Sequence, residues 1–414
     1  MGVASAHGPA GERGGGGVMP TGFFSAVEPG APVRPLLERL RPLVEAEVER
    51  YDGRGLTVHA ELRAVRGSGG AAEMERFYWS MQGADPTTAW GYGARTLYCR
   101  DDPEGLRVHE FPSEPVLSWL DDPDGPLRRD GRAEQVEILR YIPLRRLTYR
   151  LLDGAGLPDR VIAKTKRTGG LNRAAVAFLA VNQAAARRPA APRVPRLLRL
   201  EPPRHTLYLE ELPGRPLHVA IAGLDLGDAM VHLGGLHRSL QELEVKGLPV
   251  RRVADWLRDA REAVDRIAMF VPSAAGRAES IRADLARKAP DDQGLRFCQG
   301  DFLPGQILCD PSGWSVIDLD DSRYADPLSD VAAMFVGMPR ELRLAAVEAG
   351  QARRTYLDAY AARAGEPVDR DRWRWYLTLL QLNELGKRLM KGRVAPGEAE
   401  AVLDRLVDLD DGLG

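Results

Sequence analysis

Residues 297–310 read Phe-Cys-Gln-Gly-Asp-Phe-Leu-Pro-Gly-Gln-Ile-Leu-Cys-Asp. Asp301 follows a glycine, and Gln306, an oxygen-bearing side chain, stands five residues on. A second aspartate, Asp318, ends the strand-like run Trp314–Ile317. The turn sequence Asp-Pro-Ser-Gly at 310–313 folds that run back towards Asp301. This spacing suits phosphoryl transfer, which asks little covalent work of a protein. It needs a carboxylate to orient a hydroxyl, hard oxygen donors for Mg2+ between phosphates, and a cation on the nucleotide. Lys164, closing the run Val-Ile-Ala-Lys, is the candidate cation. Only six of the 57 basic residues are lysine, which makes each lysine worth inspecting.

The stretch resembles the aminoglycoside phosphotransferase and choline kinase family. That family's pattern is His-Gly-Asp, a short run to Asn, Val-Ile-Asp, then Asp-Pro-x-x-Asp-Leu-Ala. Here the matching residues are Gln299-Gly300-Asp301, Gln306, Val316-Ile317-Asp318 and Asp326-Pro327-Leu328-Ser329-Asp330-Val331-Ala332. The match is close over 296–332, looser but collinear from 134 onward, and silent on 1–133. The resemblance implies an α+β, two-lobed, protein-kinase-like fold with ATP between a small β-rich lobe and a mostly helical lobe. It makes Asp301 the catalytic aspartate, Asp318 the main Mg2+ ligand with Gln306 beside it, and Asp330 a structural residue holding the loop. Lys164 would grip the nucleotide phosphates. The segment Leu-Tyr-Leu-Glu-Glu-Leu-Pro-Gly, with Glu210 and Leu212, would be the hinge whose backbone meets the adenine.

Three departures bear on catalysis. Gln299 stands for the family's histidine, a scaffold position that a hydrogen-bonding amide can fill. Gln306 stands for asparagine: its amide oxygen still suits Mg2+, but the side chain is one methylene longer. Residues 165–200 contain no Asp or Glu, so the helix after Lys164 cannot supply the usual glutamate partner. The glycine-rich loop is also missing, and Arg145 and Arg146 are the candidates to meet phosphate oxygens in its place. Asp320 and Asp321 read as a solvated acidic turn. His232 and His237, five apart on a helix, read as core or surface residues, and the aromatic run at 372–377 as packing between helices.

The elements that must position these residues follow from periodicity. Residues 1–32, rich in Gly, Ala and Pro, are expected to be a disordered tail. Residues 33–133 read as an extension domain for capping or packing, with a helical stripe over 34–51 and strands at 56–65, 95–100 and 106–111. Residues 134–213 give three short strands, a helix from 170 to 188 and a strand running into the hinge. Residues 214–414 give a helical lobe, with apolar spacings of three and four at 227–243, 252–269, 341–363, 371–391 and 397–409.

A net charge of −2, from 57 basic and 59 acidic residues, leaves no electrostatic footprint for nucleic acid or an anionic membrane. No apolar run is long enough to span a bilayer. No signal peptide is read at the N-terminus, and Ala6 spoils the myristoylation pattern that Met-Gly opens. Three cysteines without a CxxC pair fit a reducing cytoplasm. The expectation is an ATP- and Mg2+-dependent phosphotransferase acting on a hydroxyl of a small metabolite or antibiotic. The alternatives are a pseudokinase that binds nucleotide or a partner protein, and a Ser/Thr kinase of peptides in natural-product maturation.

Overall fold

A computed structural model of the chain describes Pro42, residues 57–66, 72–83, 93–100, 106–110, 117, 120, 136–142, 145–151, 160–390 and 393–407. The expected tail at 1–32 and, apart from Pro42, the helical stripe over 34–51 lie outside these residues. Four N-terminal strands, β1 (Thr57–Arg66), β2 (Ala72–Gly83), β3 (Gly93–Arg100) and β4 (Leu106–Glu110), form an antiparallel meander.

The small lobe is a five-stranded antiparallel sheet in the order β5-β6-β7-β9-β8. Its strands are β5 (Val136–Ile142), β6 (Arg146–Leu151), β7 (Val161–Lys166), β8 (Leu197–Glu201) and β9 (Thr206–Glu210). Strand periodicity splits β7 into two faces. Val161 and Ala163 enter a core with Tyr141, Leu147, Tyr149 and Tyr208, which Leu117 and Leu120 complete from earlier in the chain. Lys164 and Lys166 face the other way. Helix α1 (Thr168–Ala186) covers that second face with Leu171, Ala174, Phe178 and Val181, spaced three and four apart.

The chain crosses to the large lobe through Glu211–Gly214. Gly214 has φ +116°, and a Cβ there would meet the Cys309 carbonyl oxygen at 2.8 Å, so the crossing runs directly against the hairpin that follows Gln306. That hairpin, β12 (Ile307–Asp310) and β13 (Gly313–Val316), pairs with the short β10 (Arg215–Pro216). A second ribbon joins β11 (Arg296–Cys298) to β14 (Arg323–Ala325). Around them stand α2 (Leu226–Gln241), α3 (Val253–Phe270), α4 (Ala275–Arg287), α5 (Pro327–Glu341), α6 (Ala346–Ala364), α7 (Arg370–Met390) and α8 (Pro396–Val407). One continuous core includes Phe270, Phe297, Phe302, Tyr356, Trp373 and Tyr376, so the aromatic run at 372–377 packs helices. The fold is the α+β, two-lobed, kinase-like architecture, preceded by the N-terminal meander.

The helix expected over 341–363 starts later, at Ala346. Helix α5 ends at Glu341, Arg343 turns left-handed at φ 55°, and α6 begins at Ala346. Helix α4, the body of α5 and strands β2 and β8 have no counterpart among the expected elements. Helix α4 buries only Ala278, Ile281 and Leu285, too thin a stripe to read. Helix α5 buries nine of its fifteen residues and so lacks a polar face.

Candidate active site

Gln299 ties the two acidic loops together. It follows β11 and is fully buried. Its Nε2 donates to the carbonyls of Ile317 (3.0 Å) and Asp318 (2.6 Å), and its Oε1 accepts the Asp301 N–H at 2.7 Å. One amide uses both its donor and its acceptor ends to fix Asp301 against Asp318, the scaffold task expected of this position.

Gly300 adds the second constraint. It sits at φ +96°, and a Cβ would lie 2.2 Å from the Asp321 carbonyl oxygen, so only glycine fits. Its N–H donates to both oxygens of buried Asp330, and its carbonyl accepts from Arg323 Nη2 at 3.1 Å. Asp330 is backed by His237 Nε2 at 3.9 Å, and His237 stacks on Phe302 and pairs with the Tyr356 hydroxyl. Gln241 extends the network to Tyr360 and to the Pro327 carbonyl. Burial keeps His237 below its ordinary pKa. Burial opposes the Asp330 carboxylate, but His237, Arg323 and the Gly300 N–H more than offset it and lower its pKa.

Asp318 holds a left-handed backbone, φ 60° and ψ 59°, which is strained for a residue with a side chain. The Asp318 backbone turn aims a short acidic run at the small lobe. Lys164 Nζ lies 2.6 Å from Asp318 Oδ1 and 3.4 Å from Asp320 Oδ1, and Lys166 Nζ lies 2.6 Å from Asp320 Oδ2. Arg146 Nη1 stands 3.7 Å from Asp318 and 3.8 Å from Asp320. Burial disfavours charge at Asp318, yet Lys164 and Arg146 hold it well below the usual carboxylate range. Burial likewise opposes the Lys164 ammonium, and Asp320 first, then Asp318, raise it above the ordinary lysine value. Asp320 is therefore not the solvated residue expected: it is 4 % exposed, because three cations from the small lobe close over it. Asp321 beside it is exposed.

Two cavities flank this acidic seam. The interlobe cleft, about 370 Å³, has apolar walls from Leu139, Ile162, Leu209, Leu308 and Ile317. The hinge residues Glu210, Glu211 and Leu212 line one end, and Arg146, Lys164, Gln306 and Asp318 the other. The Glu210 carboxylate is tied to Arg196 at 2.9 Å and to Arg193 at 3.5 Å. Arg146 Nε is buried without a partner, which suits an anionic ligand at that end. The donor set also fits Mg2+: a carboxylate at Asp318 and an amide at Gln306 are hard oxygens, and Mg2+ takes its remaining ligands from phosphates and water. Among the described residues no group of three His, Cys, Asp or Glu forms a self-sufficient metal site.

The second cavity, about 400 Å³, contains Asp301, Asp321, Arg251, Arg323, Asn383 and Lys387. The Asp301 side chain is open to water yet crowded by protein. Desolvation first, then Asp318 and Asp321, push its carboxyl up to about 6. A further cavity, about 710 Å³ between α4 and α7, contains none of these residues.

Arg145 occupies the β5–β6 turn, exposed and outside the cleft lining, while Arg146 one residue on faces in. Arg140, which sequence reasoning passed over, also lines the cleft. Lys166 was missed too, although strand periodicity puts it on the face of Lys164.

A protein-family model described as the phosphotransferase enzyme family matches residues 144–376. The chain belongs to that family. No curated protein sequence matches it. Among solved structures it is similar to an aminoglycoside phosphotransferase from Streptomyces rimosus, 23 % identical over 60 % of this chain and 92 % of that one, with a TM-score of 0.46. It is also similar to a choline/ethanolamine kinase family protein from Mesorhizobium loti, at 16 % identity, 68 % and 90 % coverage and a TM-score of 0.47. A macrolide 2'-phosphotransferase from Brachybacterium faecium gives 19 %, 66 %, 92 % and 0.45.

Proposed function

We propose that this protein transfers the γ-phosphoryl group of ATP to a hydroxyl of a small molecule. The observation that carries the reading is the Gln299 bridge, which fixes Asp301 beside one cavity and Asp318 beside another. ATP occupies the interlobe cleft, its base between the apolar walls at the hinge and its phosphates at Lys164 and Arg146. The acceptor sits in the second cavity, where Asp301 orients its hydroxyl and takes the proton. The hydroxyl oxygen bonds to the γ-phosphorus as the bond to the β-phosphate oxygen breaks, and ADP leaves. Mg2+, held by Asp318 and Gln306, neutralises charge on the phosphates when bound.

Charge in the acceptor cavity narrows the substrate. Asp259, Asp301, Asp321 and Glu384 are balanced by Arg251, Arg323, Arg340 and Lys387. Arg251 covers the ring of Trp256 at 3.4 Å, so no open aromatic face awaits a quaternary ammonium. A neutral or zwitterionic hydroxyl compound suits this cavity better than a polycation.

A second reading, a nucleotide-binding shell without catalysis, is favoured by the direct Lys164–Asp318 contact, which closes cation and carboxylate onto each other. Titrating ATP with and without Mg2+, then assaying ATPase and a panel of neutral, zwitterionic and polycationic hydroxyl compounds, separates the two. Transfer abolished by Asp301→Asn supports the enzyme. Binding indifferent to Mg2+ and to Asp318→Asn, with no transfer to any acceptor, would leave the shell.

A further inference from the structure

Helix α1 carries no acidic residue to steady Lys164. The α1 side chain recorded against Lys164 is apolar: the buried ring of Phe178, its centroid 5.6 Å from Nζ. Yet Lys164 is not left to Asp318 alone. Asp320 reaches up from the large lobe and divides its oxygens, Oδ1 to Lys164 at 3.4 Å and Oδ2 to Lys166 at 2.6 Å, with Arg146 at 3.8 Å.

We infer that Asp320 is the positioning residue for the phosphate-binding lysines, doing from the large lobe what a helix glutamate would do from the small one. The inference rests on the phosphotransferase reading. Lys164 now sits on Asp318 Oδ1 and Arg146 stands 3.7 Å from Oδ2, so Mg2+ at this carboxylate would compete with both cations. An ammonium that turned to bound phosphates would loosen its contact with Asp318. Asp320 is two residues on, buried, and already bonded to Lys166, so it keeps both ammonium groups at the cleft during that exchange. Lys166 thereby becomes a second cation for the phosphates, offset by two residues along β7 on the same face. A helix glutamate travels with its lysine inside one lobe. Asp320 does not, so the lysines are ordered only while the lobes are closed, and phosphate binding is tied to closure.

The test compares calorimetric affinities for Mg·ATP and for adenosine, which lacks phosphates. Asp320→Asn is expected to weaken Mg·ATP about tenfold or more, the loss of one charge-assisted contact, and to leave adenosine unchanged. With an acceptor in hand, KM for ATP should rise more than kcat falls. Lys166→Met, a change that removes the ammonium on Asp320 and keeps the strand, should weaken Mg·ATP about fivefold and spare adenosine. It carries the test if Asp320→Asn does not fold. Undiminished Mg·ATP affinity in Asp320→Asn or Lys166→Met overturns the inference, as does an equal loss of adenosine. An unaltered protein that binds neither ligand overturns the phosphotransferase reading as well, whereas one that binds both and ignores Asp320 leaves that reading standing.

Discussion

A carboxylate that must accept a proton near neutrality works best when its own pKa lies close below the operating pH. Asp301 meets this condition, since crowding and two neighbouring aspartates push it up to about 6. The sign follows directly: the base is ionised above that value and disabled below it. The acceptor kcat/KM should therefore climb as pH rises through about 6 and level off by about 7. On the proposed reading, Asp301→Asn should cost turnover about 10²-fold or more and leave nucleotide affinity unchanged, because Asp301 lines the second cavity and not the interlobe cleft. Gln306 sets a different residue-scale test. Mg2+ tolerates poor geometry badly, and glutamine is one methylene longer than asparagine. Gln306→Asn is expected to keep or raise the transfer rate at saturating Mg2+. A steep fall in that assay would mean the loop is built around the longer side chain.

At the scale of elements, close approaches and a buried polar network hold the site from behind. Helices α2 and α6 touch at Gly234, where a Cβ would meet the Tyr356 carbonyl oxygen at 2.5 Å. Gly234→Ala must push the helices apart, and thermal or urea unfolding should show a loss of about 1–3 kcal/mol. The same pair of helices carries the hydrogen-bonded residues His237, Gln241, Tyr356 and Tyr360, and His237 stands 3.9 Å from Asp330, which accepts from the Gly300 N–H. His237 and Asp330 both have folded pKa values below their ordinary ones, 6.5 and 3.8. The folded state thus binds their protons less tightly than the unfolded chain does. The stability they contribute is complete above the ordinary values and drains away as pH falls, His237 first and Asp330 later. Melting temperature should decline between pH 7 and pH 5 and more steeply below pH 4. A His237→Gln protein should lose the upper part of that decline.

For the molecule as a whole, the two lobes meet through Arg146, Lys164 and Lys166 on one side and Asp318 and Asp320 on the other. Nucleotide that inserts phosphates and Mg2+ into this seam binds the folded form alone. At a hundred times its Kd it should stabilise the protein by about 2.7 kcal/mol, read as a rise in melting temperature. Mg·ATP should raise it more than ATP with a chelator. Equal shifts would show that Asp318 holds no metal.

The sequence by itself determined the family and singled out the acidic loops that the fold brings together. Asp301, Gln306 and Asp318 lie within 18 residues of one another, and local turn and strand signals suffice to place them. It determined the order of lobes as well, because the switch from strand to helix periodicity is a property of neighbouring residues. What only the tertiary structure decided depends on contacts between distant segments. Asp320 reads as a solvated turn until β7, more than 150 residues earlier, lays two lysines over it. Arg145 and Arg146 are equivalent in sequence, and strand alternation at a particular register sends only one inward. Helix α5 has no polar stripe to read, because neighbours surround it. The charge balance of the second cavity belongs to four separate segments that meet only in the folded chain: Arg251–Asp259, Asp301, Asp321–Arg340 and Glu384–Lys387. Burial and pairing of this kind are properties of the assembled fold, because the lysines that cover Asp320 lie more than 150 residues from it.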